Sequence, residues 1–250
     1  MDIRSLSQPA PDRQPPSVNE DLVLTGPDFA VVLDGATAPR GVESGCIHTV
    51  AWLVGQLAAQ LAPPLLTASA APLTDLLAEA ITGVRAAHVG TCDLTNPDSP
   101  SSTVAMVRVQ PAYVEHLVLA DSPIVMRSPG GAVTVYSDDR IDLLPERTLE
   151  AVSRLRNQAG GFWVASTDPK AAYQAVTGRT DLAAVEVSAL LTDGASRYSE
   201  RYGHSWDELV DVLITEGPRG LVDRVRVHDS ESTPRWKRYD DASVVLLQRP

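Results

Sequence analysis

Apolar and polar residues change their spacing several times along the chain, and each change marks an element. Residues 29–33, Phe-Ala-Val-Val-Leu, form a short continuous apolar run that suits a strand buried on both faces. The run meets Asp34 and Gly35, so a core strand ends on a carboxylate. Residues 21–24 form a shorter strand-like piece just before it. After a turn at residues 36–41, residues 43–61 read as a helix. Ser44 is placed to cap it, and Val50, Leu53, Val54, Leu57 and Leu61 recur at helical spacing. Pro63 and Pro64 are expected to stop it. Residues 74–88 give a second helix, with Leu76, Leu77, Ile81 and Val84 on its apolar face, and residues 91–100 read as a loop.

From there the period shortens. Residues 103–109, 115–119, 124–127 and 132–136 are short strands with turn signals between them, which predicts an antiparallel meander. Residues 148–156 read as a helix, 161–165 and 185–191 as strands, 206–215 and 219–228 as helices, and 243–247 as a closing strand. There is no internal repeat and no long linker. Helices, then strands, then helices and a last strand predict one α+β domain over residues 17–250, with helices covering sheet faces. Residues 1–16, polar and proline-rich, read as a flexible leader.

Composition narrows the function. Apolar residues make up 44% of the 250, enough for a sizeable core. No apolar run reaches the roughly 20 residues of a membrane span, and the N-terminus has no apolar signal-peptide region, so a cytoplasmic protein is expected. Lys plus Arg number 21 against 32 Asp plus Glu, a net charge of −11. That balance argues against nucleic acid and against anionic membranes. It does not exclude a phosphorylated substrate, because bound cations bring local positive charge. A monomer is the default expectation.

Cys46 and Cys92 have no metal-type spacing and no histidine partner evident in the sequence, and they read as packing thiols. His48 and His88 read as helix packing residues, and His204 and His228 as solvated or capping residues near helix ends. Trp52, Trp163, Trp206 and Trp236 read as core. The basic stretch at residues 235–238 reads as a solvated loop, with a role in drawing a phosphorylated substrate as the alternative. Gly160-Gly161 lacks the spacing of a phosphate-binding loop.

The acidic residues fall into a pattern. "VVLDG" ends at Asp34, "ALLTDG" carries Asp193, "YDDASVVLL" carries Asp240, and "NEDLVL" opens a strand with Asp21. None has an obvious basic neighbour in sequence. Carboxylates that converge without cations repel one another and cannot all ionise. Oxygen-only clusters of this kind suit Mg²⁺ or Mn²⁺. A single Asp-Gly is more often a turn; the weight lies in the order and spacing of several.

That order resembles the metal-dependent protein phosphatases of the PP2C family, bacterial branch. "NEDLVL", "FAVVLDGATAP", "GVESGCIHTVAWL", "SSTVAMVRV", "ADSPIVMR", "ALLTDGAS" and "YDDASVVLL" are similar to seven family segments in family order, spanning about residues 19–247. The resemblance implies a four-layer α-β-β-α sandwich of two antiparallel sheets, with a dinuclear Mn²⁺ or Mg²⁺ site at the sheet edges. By position Asp34 would bridge the two metals, and the Gly35 carbonyl would complete one shell. Asp193 and Asp240 would hold the other side, and Asp121 would help hold a weaker third ion. Asp21 would orient the water, and Asp241 would stand outside the metal shell. The implied activity is serine/threonine protein phosphatase, by attack of a metal-bridging hydroxide on a phosphomonoester with no covalent intermediate.

Several positions depart from the family pattern. The family's phosphate-gripping arginine precedes the first acidic motif; here Arg13 is the nearest, with Arg40 a replacement from the loop after Asp34. Ala36 stands where animal members have histidine, and Pro123 where arginine is usual. Two alternatives therefore stay open: a PP2C-like module that binds a phosphorylated partner without turnover, and a phosphatase of a small phosphorylated metabolite.

Overall fold

The computed structural model describes residues 1–13, 18–36, 41–88, 90–232 and 237–249. Two antiparallel five-stranded sheets lie face to face, each with helices on its outer face. The first sheet has the order β2 (Leu22–Gly26), β3 (Phe29–Ala36), β4 (Ser101–Val109), β5 (Tyr113–Leu119), β8 (Val176–Asp181). The second has the order β1 (Asp2–Gln8), β10 (Ala242–Gln248), β9 (Val187–Leu191), β6 (Ile124–Arg127), β7 (Val133–Tyr136). The α-β-β-α sandwich expected from the sequence is the architecture observed.

This layering explains the continuous apolar runs. Along β3, Phe29, Val31 and Leu33 pack under helices α1 (Val50–Leu66) and α2 (Leu73–His88), while Ala30 and Val32 face the other sheet. Along β10, Val244 and Leu246 meet α4 (Asp193–Glu200) and α5 (Trp206–Glu231), while Val245 and Leu247 join the inter-sheet core. A strand covered on both faces has no position to leave polar, so period-2 alternation vanishes from the sequence.

Several boundaries differ from expectation. Residues 1–16 are not a leader throughout: Asp2–Gln8 is a full edge strand, with Asp2 opposite Gln248 and Gln8 opposite Ala242. In "DIRSLSQ" only Ile3 and Leu6 are apolar, each partly covered, one by the inter-sheet core and the other by the helix layer, so the strand reads as polar in sequence. Helix α1 starts at Val50, where Thr49 accepts from the Trp52 N–H at 3.2 Å; Ser44 caps nothing. The helix also runs through Pro63 and Pro64 to a buried Leu65, its last carbonyls closed by the Thr67 and Ser69 N–H groups at 3.1 and 2.9 Å. Residues 161–165 form only isolated bridges. The two helices expected around residue 217 join across a kink at Gly217 (φ 77°) and Pro218. Among the described residues no helix is long and apolar enough to cross a membrane.

Candidate active site

Antiparallel pairing carries five acidic residues to one end of the sandwich. Leu22, opening β2, lies opposite Leu33 near the end of β3, so Asp21 and Asp34 share that end. Thr103 of β4 is opposite Asp34, and Val104 is opposite Leu119 at the end of β5, two residues before Asp121. In the second sheet Leu191, ending β9, faces Val244 of β10, which brings Asp193 and Asp240 to the same end. A pocket of about 290 Å³ opens there, with Asp34, Asp121, Asp193, Asp240, Arg156 and Lys237 in its wall.

The two Asp-Gly pairs are close approaches rather than turns. Gly35 sits inside β3, where a Cβ would collide with the Val50 side chain and stand 2.6 Å from the Glu20 carbonyl oxygen. A Cβ on Gly194 would run into the Asp241 carbonyl. Each glycine lets one strand end pack against the backbone that carries the next carboxylate. Asp193 opens α4 with Thr192 as N-cap residue, and its N–H donates to Asp34 Oδ2 at 3.3 Å, joining the two sheets.

Electrostatics divides the pocket. Burial pushes the Asp34 carboxyl well above its ordinary 3.8, and Asp21, Asp193, Asp121 and Asp240 all push it further. Burial raises Asp21 to about 7, against the Thr192 hydroxyl that donates to Oδ2 at 2.9 Å. Burial likewise raises Asp121 to about 6, with Asp142, Glu200 and Asp138 adding repulsion. Among the described residues no Lys or Arg forms an ion pair with Asp21, Asp34 or Asp121.

Asp193 and Asp240 are braced. Burial and then Asp240 raise Asp193 to about 6, while Arg197 and Arg201 hold it down from 3.9 and 3.3 Å. Asp240 pairs with Arg197 at 3.3 Å and with Lys237. Arg197 is itself 1% exposed and bonded to fully buried Asp229 at 3.2 Å. The expectation that these motifs lack basic partners is therefore corrected: Arg197 lies one helical turn after Asp193, and Lys237 three residues before Asp240.

The residues expected to grip phosphate do not reach the pocket in the expected way. Arg13 is held by Glu20 at 2.8 Å and Asp241 at 2.7 Å, and donates to the Val18 carbonyl. Asp241 also accepts from the Ala10 and Glu20 N–H groups, both at 2.8 Å, so it pins the turn before Asp21 to the start of β10. Arg40, like Trp236, lies outside the described residues. Arg156, which carried no signal in the sequence, follows helix α3 (Leu149–Leu155) and lines the pocket. Its Nη1 donates to the Ser99 carbonyl at 3.1 Å and Ser101 Oγ at 3.4 Å; its Nε is buried with no partner among the described residues.

A desolvated, oxygen-only set that repels itself and is braced on one side only fits hard divalent cations. Asp34 is the residue every other carboxylate acts on.

The family model described as protein phosphatase 2C matches residues 18–226. No curated protein matches the chain at the sequence level. Among solved structures, PppA, a key regulatory component of T6SS in Pseudomonas aeruginosa, superposes with a TM-score of 0.60 at 18% identity, covering 98% of this chain and 96% of its own. The Mycobacterium tuberculosis serine/threonine phosphatase PstP/Ppp gives 0.61 at 15% identity, covering 98% and 97%. The catalytic domain of PstP in complex with two manganese ions gives 0.59 at 15% identity, covering 98% and 96%. At these identities the superpositions establish the fold.

Proposed function

The chain belongs to the protein phosphatase 2C family, and from that premise we propose that it is a metal-dependent serine/threonine protein phosphatase that uses two Mn²⁺ or Mg²⁺ ions. The observation that carries the reading is the convergence of Asp21, Asp121, Asp193 and Asp240 on Asp34, with no described cation against Asp34 itself. When bound, the ions supply Lewis acidity, lowering the pKa of a shared water toward neutrality and neutralising phosphoryl oxygens.

The chain's own residues divide the remaining work. Asp34, at the pocket end of β3, and the Gly35 carbonyl beside it would be the central ligands for the ions. Asp193 and Asp240 hold the other side, kept in place by Arg197. Asp121 serves a weaker third ion. Asp21, held by the Thr192 hydroxyl at Oδ2, would orient the attacking water. Arg156 takes the part foreseen for Arg13 or Arg40: Ser99 and Ser101 fix its guanidinium in the pocket wall, where it receives the substrate phosphate. Attack is assigned to water rather than to a side chain, because the pocket's carboxylates are taken up as metal ligands in this reading. The substrate is a phosphorylated protein in the cytoplasm.

The capture of Arg13 by Glu20 and Asp241 favours the second reading, a module that binds phosphorylated partners without turnover. Hydrolysis of p-nitrophenyl phosphate and then phosphopeptides, with Mn²⁺ or EDTA, separates the two. Turnover that requires Mn²⁺ and disappears in Asp193→Asn supports the phosphatase. Mn²⁺ binding and phosphopeptide binding without turnover support the module.

A further inference from the structure

Away from the acidic pocket, Cys46, His48, His88 and Cys92 place one ligand atom each within 4.8 Å of one another. The reading of the cysteines as unpartnered packing thiols is thereby corrected. Two segments deliver the four groups: the irregular stretch at residues 41–49 contributes Cys46-x-His48, and the end of α2 with the following loop contributes His88-x₃-Cys92. Fold contacts, not sequence spacing, bring them together. The Asp93 N–H donates to the Gly45 carbonyl at 2.8 Å, and Asn96 Nδ2 to the Glu43 carbonyl at 2.9 Å.

The four side chains are oriented as ligands. His48 Nδ1 lies 3.6 Å from Cys46 Sγ and 3.3 Å from Cys92 Sγ. His88, 1% exposed, sets Nδ1 at 2.9 Å from the Val84 carbonyl. A carbonyl only accepts, so Nδ1 carries the proton and Nε2 keeps its lone pair, the arrangement that a neighbouring carbonyl imposes on metal-binding histidines. Trp52 holds both rings: His48 stacks on it at 3.8 Å between centroids, and His88 meets it edge-on at 4.6 Å. Cys46 Sγ receives a hydrogen bond suited to a thiolate from the His48 N–H at 3.4 Å, and the Thr91 hydroxyl, which donates to the His88 carbonyl at 2.8 Å, ties the end of α2 to the loop that carries Cys92.

We propose that these four residues form a structural Zn²⁺ site. Two thiolates and two imidazoles, with no fifth His, Cys, Asp or Glu ligand among the described residues, suit the tetrahedral, borderline-soft ion rather than the hard cations of the acidic pocket. Both cysteines are free, with the sulfurs 2.7 Å apart. Zn–S bonds of about 2.3 Å at a tetrahedral angle set two sulfurs about 3.8 Å apart, so the ion seats by opening that contact by about 1 Å. A cysteine pair meant only for a disulfide has no use for two imidazoles beside it, one of them held in a fixed tautomer by a carbonyl. The ion staples the segment following Asp34 to the loop that enters β4, whose Thr103 pairs with Asp34.

The test is metal analysis of the full-length protein, loaded with zinc and then dialysed against Mn²⁺. One zinc per chain is expected, absent in Cys46→Ser and Cys92→Ser but kept in Asp193→Asn. Replacement by Co²⁺ is expected to give thiolate-to-cobalt charge-transfer absorption with tetrahedral ligand-field bands, which an oxygen-only site cannot produce. If the serine variants fail to fold, the wild-type cobalt spectrum decides, and His48→Cys is expected to fold and keep the zinc. The proposal is overturned by two freely titrating thiols with no zinc, by thiols that titrate only after reduction, or by zinc that is lost in Asp193→Asn and kept in Cys46→Ser.

Discussion

The two sides of the acidic pocket are built differently. Asp193 and Asp240 sit on a fixed cationic frame, with Arg197 buried between them and Asp229 behind it. Asp21, Asp34 and Asp121 have hydrogen bonds but no ion pair among the described residues, and their carboxyls are raised by burial and mutual repulsion. Arginines offset part of the charge on the first side, although burial still raises Asp193 to about 6; the second side has no such cation among the described residues. The contrast locates where cations are needed, and its consequences can be measured.

The largest expected effect is on the uncompensated side. Asp34→Asn removes the carboxylate on which the others converge, and phosphatase activity is expected to fall by about 10³-fold or more, about 4 kcal/mol of transition-state stabilisation. The folded protein is expected to be retained, because the same change relieves repulsion. A matching loss of melting temperature without metal would contradict the contrast.

On the braced side the expected loss is in folding. Arg197→Met leaves buried Asp229 with one of its two arginines and removes the buried partner of Asp240, which costs about 3–5 kcal/mol. Urea denaturation measures it, and a loss under about 1 kcal/mol would mean that Arg226, 3.1 Å from Asp229, carries the charge alone.

The pH dependence distinguishes the metal-free and loaded forms. Asp21, Asp121 and Asp193 have raised carboxyls in the folded state, so the native state binds more protons than the unfolded one. Stability of the EDTA-treated protein therefore falls as pH rises from the ordinary 3.8 through about 6 to about 7. Each pKa unit is worth at most about 1.4 kcal/mol, and because the carboxyls titrate as a coupled set and Asp193 is partly exposed, the total is smaller than the separate shifts would sum to. Saturating Mn²⁺ is expected to flatten the slope in thermal melts. A metal-free protein that gains stability over the same window would contradict the raised carboxyls.

Arg156→Ala is expected to raise KM for phosphopeptides about tenfold, about 1.4 kcal/mol, with Mn²⁺ affinity unchanged and Arg156→Lys in between. An unchanged KM would remove Arg156 from the phosphate site. The smallest effect is at Ala120, whose φ of 65° is unusual for a residue with a side chain. Ala120→Gly is expected to stabilise the fold by about 0.5–1 kcal/mol in denaturant titration, if the relief of backbone strain exceeds the loss of one buried methyl.

Legibility in the sequence followed the length scale of each interaction. The strand ends beside Asp34, Asp193 and Asp240 were readable because apolar runs stop or start next to them, and their order carried the family resemblance. Local geometry was harder. The Asp193-Gly194 pair reads as a turn, yet it opens α4, and missing that helix hid Arg197 one turn later. Asp2–Gln8 was unreadable because this edge strand leaves no position fully buried, so Ile3 and Leu6 stand alone among polar residues. Arg13 was placed near the substrate by sequence proximity, while the fold delivered it to Asp241, 228 positions later. The Cys46, His48, His88 and Cys92 cluster was invisible for the same reason: its two halves are 40 residues apart at their nearest and meet through loops with no periodic pattern.

The most direct test of the central claim is calorimetric titration of Mn²⁺ into the wild type and Asp34→Asn near neutral pH, after the thiol cluster has been saturated with zinc. Two Mn²⁺ are expected to bind the wild type with release of protons, which the dependence of the heat on buffer ionisation enthalpy reports. Asp34→Asn is expected to lose both at the same concentrations. Equal binding by the two proteins would contradict the role assigned to Asp34, and with it the dinuclear account of the pocket.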